Sequence, residues 1–241
     1  MPQQTPPSNS NVVVDNLHKT YSGAEHPVFV GYNLNLQGGC LCAVVGMSGI
    51  GKTTLLNCIA ALDTWDSGTI VVGDEPVPQN DPQQGAFYRR RKVGMAFQSP
   101  HLLPEFTLLE NMEMPLRIDN SLATSSSDWC KYLLELVGLQ DLMSRLPSQI
   151  SGGQSARAGL ARALVRKPAV WLLDEPTGNL DPETANGVFQ VLLALHRELR
   201  PTTLLVTHNP TLANGCERVE KLEQPAIQKT INYDMGNGYF T

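Results

Sequence analysis

Long apolar runs, paired cysteines and a cationic surplus are all missing from this chain, and each absence narrows what it does. A helix needs about 20 consecutive apolar residues to cross a bilayer, and no run here approaches that length. Any membrane association must therefore come through a partner. The cysteine count is odd, five (Cys40, Cys42, Cys58, Cys130 and Cys216), without CxxC pairs. A zinc framework is not expected, and the thiols read as reduced and mostly buried. Lys and Arg total 18 against 23 Asp and Glu, a net charge of −5. That balance offers no footprint for a nucleic-acid backbone, so no nucleic-acid partner is expected. The one cationic run, RRRK at Arg89 to Lys92, reads as solvated surface. The start MPQQTPPSNSN lacks the basic and apolar segments of a secretory signal; residues 1–10 read as a disordered tail and the protein as cytoplasmic.

What remains is ordinary globular composition, with 41% hydrophobic and 17% charged residues. NVVVDNL and the alternating FVGYNLNL read as strands, and GTIVVGDEPV as further extended chain. CLCAVV is a continuous apolar run of the kind buried on both faces of a sheet, so packing explains Cys40 and Cys42. From Pro100 to about Leu146 the pattern is helical and turn-rich, with a Ser/Thr-rich loop ATSSSD. Asp128 reads as the N-cap of WCKYLLELVG, and Gly138 as its stop. A helix from GGQSARAG, strand AVWLLDE, helix ETANGVFQVLLALHREL and strand TTLLVTH follow. This order predicts an α/β fold whose mostly parallel sheet carries an N-terminal β-subdomain and an inserted helical subdomain. The pattern weakens after His208, and little is claimed for residues 223–241.

GMSGIGKTT, Gly46 to Thr54, satisfies G-x-x-x-x-G-K-[ST] between an apolar strand and a helical pattern. Gly46, Met47, Ser48, Gly49, Ile50, Gly51 and Thr54 form a backbone cradle for phosphates at a helix start. Lys52 is placed to contact the β- and γ-phosphates, and the Thr53 hydroxyl to hold Mg²⁺. Asp174 and Glu175 end a buried strand, the edge where ligands sit in open α/β sheets. Asp174 suits Mg²⁺, and Glu175 suits orienting and deprotonating an attacking water. His208 ends a further strand at the same edge, where one imidazole N–H can donate to the γ-phosphate; His18, His26, His101 and His196 lack metal-ligand spacing and read as structural. A second glycine-rich helix start, ISGGQ with Ser151, Gly152, Gly153 and Gln154, also suits an anion. The first cradle already encloses the phosphates from one side, so a head-to-tail pair in two-fold symmetry gives the second one its use.

With ISGGQ lying between GMSGIGKT and WLLDEP, residues from about Asn11 to Leu222 resemble the nucleotide-binding subunit of an ABC transporter. The resemblance implies ATP and Mg²⁺ as ligands, a second copy and an integral membrane permease as partners, and a peripheral place on the inner face of the cell membrane. It implies a core at 11–97 and 165–222 and a helical subdomain at 98–164. By resemblance Tyr21 stacks on adenine, Gln98 reaches Mg²⁺ and the attacking water, and Asp181 lies at the dimer seam. A core aromatic, a loop polar residue and a helix N-cap are the respective alternatives. HLLPEFTLLENMEMPL and DEPTGNLD are similar to the lipoprotein-release, macrolide-exporter and cell-division ATPases. Ile150 replaces their usual leucine, and Met47 and Ile50 replace smaller or polar residues. An uptake importer and a regulatory envelope ATPase stand as alternatives, and a soluble ATPase acting on nucleic acid as a competing class. A permease helix is expected in a groove lined by Leu102, Leu103, Phe106 and Leu109.

Overall fold

The computed structural model describes residues 10–118 and 123–223. The β-branched opening forms β1 (Val12–Lys19), which pairs antiparallel with β2 (Phe29–Leu36) and with β4 (Ser67–Val72). The short β5 (Glu75–Pro76) completes this sheet in the order β2-β1-β4-β5. The second sheet is entirely parallel. It runs β6 (Val93–Phe97), β7 (Val170–Asp174), β8 (Thr202–Val206), β3 (Leu41–Val45), β9 (Arg218–Lys221).

Parallel strands covered on both faces need apolar side chains at every position. In β7, Val170 and Leu172 enter one core while Trp171 and Leu173 enter the other. The first core lies against the antiparallel sheet and helix α1 (Lys52–Ile59) and takes in Cys42 and Cys58. The second is closed by α3 (Leu108–Ile118), α4 (Thr124–Leu136), α5 (Gly152–Ala163) and α6 (Pro182–Leu199). Between β6 and β7 every regular element is helical, so the α/β fold with a helical insertion is as expected. Burial pushes the Cys42, Cys58 and Cys130 thiols up to about 12, which keeps them protonated and inert.

Several local readings are corrected. ATSSSD is not a loop: α4 starts at Thr124, with Ser126 and Ser127 N–H groups bonding Ala123 O. The Ser127 hydroxyl donates to the buried Glu113 carboxylate at 2.6 Å, a tertiary bond that outweighs the turn preference of the sequence. Asp128 sits inside the helix and pairs with Lys131. Gly138, at φ +68, does end it. RRRK is the last turn of α2 (Pro82–Lys92), not simply a solvated face. Arg89 donates to Ala61 O, while Arg91 and Lys92 reach Glu75. Ser10, assigned to the tail, is buried, and its carbonyl accepts from the Thr202 hydroxyl at 2.6 Å. The rest of that tail, residues 1–9, lies outside the described residues, as does nearly all of 223–241.

Candidate nucleotide site

Because β8 lies between β3 and β7, the segments leaving all three strands meet at one sheet edge. Residues 46–51 leave β3 as a loop that turns directly into α1. Gly51 has φ +112, and a Cβ there would lie 2.5 Å from the Val28 side chain, so only glycine fits. The loop tip is open, with Met47, Ser48 and Gly49 exposed. Lys52 is buried, and its ammonium donates to the Gly46 and Met47 carbonyls at 2.9 and 2.8 Å. The cation is thus held beneath the loop that would close on an anion.

Thr53 Oγ1 donates to Asp174 Oδ2 at 3.0 Å, joining the start of α1 to the end of β7. Burial raises the Asp174 carboxyl above its ordinary value. The Thr53 hydroxyl opposes this, the Glu175 charge adds to it, and Lys52 offsets part. A hydroxyl and an under-compensated carboxylate are hard oxygen donors that suit Mg²⁺. Glu175 adopts φ +47, a conformation that costs a non-glycine residue energy. Its carboxylate Oε2 lies 2.7 Å from His208 Nδ1. Gln98 is exposed and donates to Asn179 Oδ1 at 2.8 Å, so it rests on the segment that leads to Asp181.

Tyr21 is 42% exposed, which removes the core-aromatic alternative. Its hydroxyl bonds Asp63 at 2.6 Å and Thr54 at 3.2 Å. Asp181 caps α6, its Oδ1 accepting from Thr184 N–H at 3.0 Å, as the helix alternative held. Ser151 caps α5 in a capping box with Gln154: Ser151 Oγ accepts from Gln154 N–H, and Gln154 Oε1 from Ser151 N–H. Ser151 and Gly152 are exposed, while Gly153 is buried tightly against Thr184. Among the described residues no hydrogen bond joins 151–154 to 46–54.

A family model described as ABC transporter matches residues 29–178. The chain belongs to this family. It is an ABC ATPase, a nucleotide-binding subunit that binds ATP. The lipoprotein-releasing system ATP-binding protein LolD of Myxococcus xanthus is 42% identical over 207 residues, covering 85% of this chain and 92% of its own. The LolD protein of Xanthomonas axonopodis pv. citri is 41% identical, covering 94% of each chain. The dimeric post-hydrolysis structure of the ATP-binding cassette MJ0796, bound to ADP and Pi, is similar at TM-score 0.77 and 32% identity, covering 88% of this chain and 94% of that one. The cbiO1 structure from Clostridium perfringens is similar at TM-score 0.81 and 25% identity, covering 89% and 85%.

Three contributors escaped sequence reading. Asn179 lies within DEPTGNLD with no role assigned to it there, Asp63 carries no motif signal, and each acts on a residue far away in the chain. Arg162 of α5 donates to the carbonyls of Pro100 and His101 at 2.7 and 2.8 Å. Pro100 also presses on Gly159, where a Cβ would sit 3.1 Å from the proline ring. The stretch just after Gln98 is therefore fastened to the helix that begins at Ser151.

Proposed function

We propose that two copies of this chain close head-to-tail around two ATP molecules and drive a separate membrane permease of the lipoprotein-release type. The observation that carries the dimer is the exposure of the second cradle: Ser151 and Gly152 open to solvent at the start of α5, with no hydrogen bond to the chain's own phosphate loop. In a two-fold pair each such helix start faces the partner's Gly46–Thr54 loop, and both sites are completed at once. The dimeric MJ0796 cassette and the LolD relatives support the reading.

In each site the 46–54 backbone and Lys52 grip the phosphates, and Tyr21 stacks on the adenine. Thr53, Asp174 and Gln98 would hold Mg²⁺, which would supply neutralisation of the charge developing on the transferred phosphoryl group. Glu175 takes the proton of the attacking water, and His208 answers to the terminal phosphate. Asp181 lies at the seam between copies. The core, 11–97 and 165–222, then carries the 98–164 helical part with it as the pair closes.

The permease site is a groove between α2, β6, α3 and α5, with a volume of about 520 Å³. Of the four residues expected to line it, Leu103 does so, with Met95, Met114 and Ile118. Leu102 and Leu109 instead pack on the helical core, and Phe106, half-buried, is not part of the groove lining. No helix among the described residues is long and apolar enough to cross a membrane, which accords with a permease made separately. Docking there holds the subunit peripherally on the inner face of the cell membrane.

Light scattering of the Glu175→Gln chain with ATP tests the dimer. Twice the monomer mass is expected, reverting to monomer on adding Ser151→Arg. A monomer at saturating ATP overturns the reading.

A further inference from the structure

Asp63 lies in the turn after α1, outside every motif of the site, yet three donors converge on its carboxylate. Lys19 Nζ reaches Oδ1 at 2.8 Å, Thr64 N–H reaches Oδ1 at 2.7 Å, and the Tyr21 hydroxyl reaches Oδ2 at 2.6 Å. Lys19 is buried, and its ammonium also lies 4.4 Å from the centre of the Tyr21 ring. Burial opposes the charge on Lys19, but the hydrogen bond and charge of Asp63 outweigh it and hold the ammonium above its ordinary value. The same phenol meets Thr54 Oγ1 at 3.2 Å, and Thr54 is two residues beyond Lys52 on α1.

An exposed tyrosine on a turn ordinarily samples several rotamers, and fixing one of them on binding costs side-chain entropy. Tyr21 is held at its hydroxyl by Asp63, lies against Lys19, and is tied through Thr54 to the helix whose start grips phosphate. Its remaining surface is open to solvent. We propose that Asp63 is a positioning residue for nucleotide: it orients the Tyr21 ring before ATP arrives, at a fixed setting relative to the phosphate loop. The proposal rests on the reading that Tyr21 stacks on adenine, and it assigns to Asp63, with Lys19 as its counter-ion, the share of base affinity that comes from preorganisation.

Titration calorimetry of the full chain with ATP and with inorganic tripolyphosphate, which has no base, separates the possibilities. Asp63→Asn and Tyr21→Phe are each expected to raise the ATP Kd about three- to tenfold, part of what a base stack supplies. The tripolyphosphate Kd should stay unchanged, and in a Tyr21→Ala background Asp63→Asn should add nothing. If Tyr21→Ala weakens ATP while Asp63→Asn does not, Asp63 has no positioning role. If Asp63→Asn weakens both ligands alike, it acts on the phosphate loop and the proposal is overturned. If Tyr21→Ala itself leaves ATP binding intact, the stacking reading fails first. Melting curves of each variant separate loss of fold from loss of affinity.

Discussion

His208 Nδ1 and Glu175 Oε2 lie 2.7 Å apart, bridging the ends of the neighbouring strands β8 and β7. An ionised carboxylate only accepts, so Nδ1 carries the hydrogen of that bond. A neutral imidazole in this tautomer has no hydrogen on Nε2. To donate to a terminal phosphate through Nδ1, His208 must let go of Glu175. In the proposed roles, Glu175 as base and His208 as phosphate sensor restrain one another until nucleotide arrives.

His208→Ala is therefore expected to lower turnover by about 10²-fold, within the range for a positioned proton-handling group, while ATP affinity changes little. Steady-state phosphate release and equilibrium ATP titration measure the two quantities. Undiminished turnover would show that the 2.7 Å contact has no part in the reaction.

Replacing Lys52 by alanine removes the cation now held at 2.9 and 2.8 Å under the phosphate loop. Loss of one such contact to developing charge lowers turnover by roughly 10²–10³-fold. Circular dichroism should show the fold retained. A correctly folded Lys52→Ala chain with normal hydrolysis would falsify the phosphate-loop assignment.

Asp174 gives a pH test with a definite sign. Its folded-state carboxyl lies above the ordinary value because burial disfavours the charge. The folded state therefore binds this proton more tightly than the unfolded state does, and ionising Asp174 costs stability. The cost is fully present above the folded pKa and is relieved as pH falls through it. Without Mg²⁺ or nucleotide, Asp174→Asn should melt higher than the parent near pH 8, with the gap narrowing toward acid pH. The Asn oxygen still accepts from Thr53. A lower melting point at pH 8 would mean that the carboxylate stabilises the fold. Hydrolysis by the variant should fall about 10²-fold or more, as for loss of a group that stabilises transition-state charge.

Leu103 is 37% exposed and Ile118 62% exposed at the rim of the groove. A Leu103→Ala, Ile118→Ala chain should keep its basal hydrolysis and lose at least about tenfold in affinity for the proposed permease, since burying each of these side chains is worth about 1.5–3 kcal/mol. Reconstitution of the purified chain with the membrane partner reads both. Full permease stimulation would move the docking surface elsewhere.

Much of the site was legible because its chemistry is written contiguously. The phosphate loop, the Asp174–Glu175 pair and the ISGGQ cap each combine a strand or helix signal with the residues that act there. Their adjacency at one sheet edge follows from the rule for parallel sheets, and the sequence supplied the strands. Shorter or less apolar elements were not legible. β9 has three exposed positions among its four residues and is a strand only because β3 offers it a hydrogen-bonding edge. Helix α2 carries no apolar stripe, and its final turn is arginine and lysine.

The sequence by itself determined the fold class, the phosphate grip and the strand-end acids, because apolar period and glycine placement act over a few neighbouring residues. Tertiary structure alone decided what each side chain meets. Ser127 became helical against Glu113 of another helix, Arg162 found carbonyls 61 and 62 positions away, and Asp63 collected Lys19 and Tyr21 from a different strand and turn. Such contacts depend on where the packed cores hold distant backbones, and a hydrogen bond worth about 1 kcal/mol leaves no periodic trace in the chain that makes it.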